Sequence, residues 1–103
     1  MNVQELFNLG NEFYSEGRIE TAMEIWNKVR AIKGDFAPVY LQQHNVYSSQ
    51  GNLVKARECI VAFLNCPVSG FSLDAIPSMK ARLQELDKQL NPQIVQIPQG
   101  DRK

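Results

Sequence analysis

Residues 3–36 read VQELFNLGNEFYSEGRIETAMEIWNKVRAIKGDF, and residues 37–70 read APVYLQQHNVYSSQGNLVKARECIVAFLNCPVSG. Set one above the other, Gly17 falls on Gly51 and Ala22 on Ala56, each pair 34 residues apart. A period of about that length, built as helix–turn–helix, is a signature of stacked helical hairpins in which each unit covers the apolar face of the next. The expected fold class is all-α, an antiparallel helix-hairpin solenoid of five helices. Its expected extent is residues 1–90, with one repeat over about 3–36, a second over about 37–70 and a capping helix over about 77–90.

Working outward, Asn2 followed by Glu5 is a capping-box pattern that starts the first helix. Leu6, Leu9 and Phe13 form its expected core stripe, and Gly17 ends it by accepting a positive φ. The second helix, about 19–32, carries two stripes, Ala22–Trp26–Val29 and Ile25–Val29–Ile32. An apolar surface that broad implies cover on two sides. Asp35 is the expected cap of a third helix that tolerates Pro38 in its first turn and runs to about Ser49. Gly51-Asn52 turns the chain into a fourth helix of about 53–65, with Leu53, Ala56, Ile60, Phe63 and Leu64 apolar. Pro67, Ser69 and Gly70 then interrupt it. Met79, Leu83, Leu86 and Leu90 give the fifth helix one narrow stripe, as expected of a terminal cap with Pro77 near its start. Residues 91–103 are expected to be extended or disordered, although Ile94, Val95 and Ile97 offer apolar docking points.

Composition narrows the function classes. The 103 residues hold 11 basic and 11 acidic side chains, so no global charge favours nucleic acid or an anionic membrane. Five glutamates, at 5, 12, 16, 20 and 24, face only Arg18 in the first 24 residues, which reads as a solvated acidic face. No stretch is apolar for long enough to span a membrane, and the first residues lack the pattern of an export signal. A cytoplasmic location is expected. Cys59 and Cys66 are seven apart, about 10 Å along a helix, which is too far to bridge; both read as small buried apolar residues of a reduced protein.

Leu6, Leu9, Gly10, Phe13, Gly17, Ala22, Trp26 and Val29 together resemble the tetratricopeptide repeat pattern. Val29 stands where that family usually has Ala, and Gly34 where it has Pro. In the second unit Tyr40, Tyr47, Gly51 and Ala56 fit, while Gln43 and His44 depart from the expected Leu and small residue. The small position permits close helix approach, so His44 in the place of Gly10 implies a looser second hairpin. The resemblance covers about two thirds of the chain and implies a protein or peptide partner held on a concave face.

Phe7, Asn11 and Tyr14 form a stripe on the first helix apart from its expected core stripe, and a shift of 34 gives Leu41, Asn45 and Ser48. By the resemblance, these six line the groove. Carboxamides both donate to peptide carbonyls and accept from peptide N–H groups, so Asn11 and Asn45 suit an extended chain of any sequence. The plainer reading makes them polar residues at the edge of a helix pair. Relatives that clamp a C-terminal carboxylate use basic residues at the groove. Here Phe7 stands at the first of these positions and Gln42 in place of a second asparagine, with no third repeat in register, so that use is not expected.

No catalytic residue, cofactor or metal ligand set is expected. His44 has no nucleophile and orienting group at telling distances, no Cys or His pair has metal spacing, and the glycines occur singly at turns. Two functions remain: an adaptor or assembly factor that binds a protein segment, and a self-assembling structural protein that forms a homodimer through its hairpin ends, cap or tail.

Overall fold

The structure is a computed structural model that describes residues 1–67 and 70–90. The described residues fold into five α-helices with no strand: α1 (Val3–Ser15), α2 (Ile19–Ile32), α3 (Ala37–Ser49), α4 (Leu53–Leu64) and α5 (Gly70–Leu90). Each helix packs on its neighbours in the chain, α1 on α2 and α3 on α4 most extensively, then α4 on α5 and α2 on α3. The helix starts repeat. Val3 and Ala37 lie 34 apart, as do Ile19 and Leu53.

Local chemistry explains most boundaries. Asn2 Oδ1 accepts from the Glu5 N–H at 2.8 Å while Glu5 Oε1 accepts from the Asn2 N–H at 3.0 Å, so both halves of the capping box are made. Gly17 at φ +84° and Gly51 at φ +75° turn the chain between paired helices. Asn52 caps α4 through the Lys55 N–H. Asp35 does not cap α3. Phe36 stands at that position without a side-chain bond, and Asp35 instead pairs with Lys33 at 3.0 Å, which holds its carboxyl below the usual value.

The fifth helix is longer than expected. It begins at Gly70 rather than near residue 77, and Pro77 lies within it. Proline there removes one rung of the helical ladder. Ala75, Ile76 and Met79 pack against the main core on either side of it, and that burial holds the turn across the missing rung. Since α5 starts 33 residues after α3, a helix does follow nearly in phase with α1 and α3.

The core centres on Trp26, which is fully buried with Ala22, Val29, Val39, Val46 and Phe63. Gly10 lies against it so closely that a Cβ there would overlap indole Nε1 and Cδ1. That approach turns the buried face of α1 toward Gly10. Phe7 is therefore a core residue, while Leu6 and Phe13 are half-buried and Leu9 sits at an edge beside Met1, Glu5, Asn8 and Glu12. Ile32 also departs from its expected stripe, at 62% exposed on the last turn of α2.

The second hairpin is as closely packed as the first, against the expectation from His44. The residue 34 after Trp26 is Ile60, so a larger residue on α3 is matched by a smaller one on α4. Ala56 and Ile60 bury Leu86 of α5 completely, with Met79 and Leu83 beside it, and Arg57 pairs with Asp87. The expected tail, residues 91–103 with Ile94, Val95 and Ile97, lies outside the described residues.

Candidate functional site

On α3, Pro38, Leu41, Gln42 and Asn45 follow the i, i+3, i+4, i+7 spacing that puts side chains on one face of a helix. Phe7 and Asn11, one turn apart on α1, meet them. Together these six line a cavity of about 330 Å³. Its apolar part is Phe7, Pro38 and Leu41, and its polar part is three carboxamides, with no charged side chain in the lining.

Phe7 serves both the site and the core. Its ring meets Phe36 edge-on at 5.3 Å and lies 6.5 Å from Trp26, and its carbonyl accepts from Trp26 Nε1 at 3.3 Å. These contacts hold one wall rigid.

The polar residues form a connected row. Gln42 Nε2 donates to Asn11 Oδ1 at 2.9 Å, and Asn45 Nδ2 donates to Gln42 Oε1 at 3.4 Å. Asn45 Oδ1 lies 3.3 Å from His44 Nδ1. His44 Nε2 is 3.2 Å from Ser48 Oγ and accepts from Arg82 Nε of α5 at 3.3 Å. Arg82 also donates to Ser48 Oγ at 3.1 Å and to Glu85 at 2.9 Å. The row thus runs from α5 across α3 to α1.

His44 is 7% exposed. Burial holds its imidazole below the ordinary value, the positive charge of Arg82 acts in the same direction, and the bond to Asn45 opposes both. Gln43, the next residue, is fully buried and turns the other way, accepting from Arg30 at 3.0 Å and donating to Asn27 at 2.9 Å. Gln43 and His44, the two residues that break the repeat pattern, are therefore both bonded bridges between helices.

Of the six residues expected on the groove, Phe7, Asn11, Leu41 and Asn45 meet at the cavity. Tyr14 and Ser48 do not line it. Tyr14 packs against Trp26, ring centres 5.7 Å apart, and Ser48 belongs to the His44–Arg82 end of the row. Pro38 and Gln42 were absent from the expected stripe. Their helical spacing to Leu41 and Asn45 is the signal that marks them.

The solvated reading of the acidic glutamates agrees with their exposure: residues 5, 12, 16, 20 and 24 are all exposed. Cys59 is buried, with its thiol pushed up to about 11 by burial, while Cys66 is only half-buried; both are free. No described helix is long and apolar enough to cross a membrane. Comparison with protein-family models, with curated proteins and with solved structures finds no match.

Proposed function

We propose that this chain is a protein-interaction module of tetratricopeptide-repeat type that holds a peptide or protein segment on the face shared by α1 and α3, as an adaptor or assembly factor. One observation carries the reading: a rigid apolar wall and a row of uncharged amides converge on one cavity of about 330 Å³. Phe7, Pro38 and Leu41 supply the apolar contact that anchors an interface, and the carboxamides supply hydrogen bonds that are indifferent to the partner's side chains. The lining is uncharged, which favours a segment without fixed charges over a carboxylate terminus.

The test is capture of partners from the native cell extract, read by mass spectrometry, with the wild type and with Asn11→Ala combined with Asn45→Ala. Both side chains are partly or wholly exposed, so the double variant keeps its fold. Loss of specific partners is the expected result. Equal capture by the double variant would overturn the reading.

A further inference from the structure

The row of amides has a direction, and its direction selects a ligand chemistry. A guanidinium only donates. Arg82 Nε points at His44 Nε2, so that nitrogen carries a lone pair; Arg82 Nη2 points at Ser48 Oγ, which sends the hydroxyl hydrogen on to the same nitrogen. The proton of the neutral imidazole is thereby placed on Nδ1 and directed at Asn45 Oδ1. With its oxygen committed as acceptor, Asn45 turns Nδ2 toward Gln42 Oε1, and Gln42 in turn points Nε2 at Asn11 Oδ1. Every carboxamide oxygen of the row receives a hydrogen from within the row. A primary amide has two N–H hydrogens. Gln42 and Asn45 each spend one, and Asn11 donates none to the described residues.

We infer that Arg82 polarises this face into a set of hydrogen-bond donors, so that the groove reads the carbonyl oxygens of its partner and offers nothing to the partner's N–H groups. The inference rests on the groove being a peptide site and adds which peptide fits it. The matching segment presents carbonyls beside an apolar side chain and keeps few N–H groups to satisfy. Proline-bearing chain in the polyproline II form has that chemistry, since it has no internal hydrogen bonds and proline lacks the N–H. The cavity wall of Phe7, Pro38 and Leu41 then receives the apolar side chain next to the bonded carbonyls. Arg82 does not line the cavity and acts as a positioning residue, through His44.

Two measurements test it. The chain has a single histidine, so its imidazole ¹⁵N spectrum reports on His44 alone. At pH 7.5 the full chain should show the Nδ1–H tautomer; an Nε2–H tautomer would reverse the row and overturn the inference. In the second, a peptide is selected from a random display library on the full chain, keeping one whose binding is lost with Asn11→Ala. N-methylation of its contacting amides should change the affinity by less than about twofold, whereas replacing the partnered carbonyl by a thioamide should weaken it about threefold to tenfold, the range of one hydrogen bond. Loss on N-methylation with a silent thioamide refutes the polarity while leaving the groove in place. If no peptide depends on Asn11, both the groove reading and this inference fall, whatever the tautomer.

Discussion

Gln42 of α3 donates to Asn11 of α1 at 2.9 Å, joining two helices whose main contacts are each with a different partner. The bond is partly buried, so its contribution should fall near the low end of the usual range, about 0.5–1.5 kcal/mol. A double-mutant cycle of Asn11→Ala and Gln42→Ala, followed by urea unfolding, should give a coupling of about 0.5 kcal/mol or more. Strictly additive losses would mean that the bond contributes nothing in solution.

Gly10→Ala separates packing from helix propensity. In an open helix the change stabilises by about 1 kcal/mol. Here the added methyl meets the indole of Trp26, which is fully buried and has no room to withdraw. The expected outcome is a net destabilisation of about 1–3 kcal/mol, measured by the denaturation midpoint. A stabilised variant would show that α1 does not approach Trp26 as described.

His44 should make the protein acid-sensitive in a defined window. Its folded value lies below the ordinary 6.5, so in that interval the unfolded chain binds the extra proton. Its contribution to stability is complete above about pH 6.5 and is lost as the pH falls from there through the folded value. The charged group facing it is Arg82, itself paired with Glu85; around it on α3 stand the uncharged Asn45 and Ser48, and Arg57 of α4 is occupied by Asp87. Replacing the imidazole by glutamine, His44→Gln, keeps an acceptor for Arg82 and removes the titration. Thermal unfolding between pH 7.5 and 5.5 should be flatter for this variant than for the wild type; equal slopes would refute the assignment. Asp35, held low by Lys33, loses its favourable pairing only in more acidic solution, as the pH falls through and below 3.8.

Asn2→Ala removes the reciprocal cap of α1. The expected cost is about 1 kcal/mol, with faster amide exchange at Glu5, whose N–H loses its partner. An unchanged stability and exchange rate would place the start of α1 elsewhere.

The thiols should be distinguishable by reactivity. Alkylation of the native protein at pH 8 should modify Cys66 first, because it is half-buried whereas Cys59 is buried with its thiol near 11. Peptide mapping after brief iodoacetamide treatment reads the order, and faster labelling of Cys59 would contradict its placement in the α4 interior.

Much of the fold was legible because its signals are local. The capping box at Asn2, the glycines at positive φ and the 3.6-residue apolar periodicity act within a few residues of where they are read. Where a signal and the outcome part, packing from elsewhere intervenes. Pro77 reads as a helix start, yet Ala75 and Ile76 bury against the core and carry the helix through it. Phe7 reads as groove because a helix has no inherent inside. The approach of Gly10 to Trp26 rotates α1 so that Phe7 is shared between core and cavity. His44 reads as an intrusion because nothing near it in the chain announces Arg82, 38 residues away.

The sequence by itself determined that the chain is helical, where its first four helices lie, and that Asn11 and Asn45 occupy equivalent positions, since backbone propensity and a 34-residue period need no knowledge of neighbours. Only the tertiary structure decided that Gln42 joins those asparagines and that Arg82 gives the row its direction. The reason is physical: a carboxamide or an imidazole has no preferred polarity of its own, and takes it from the group that packing places against it.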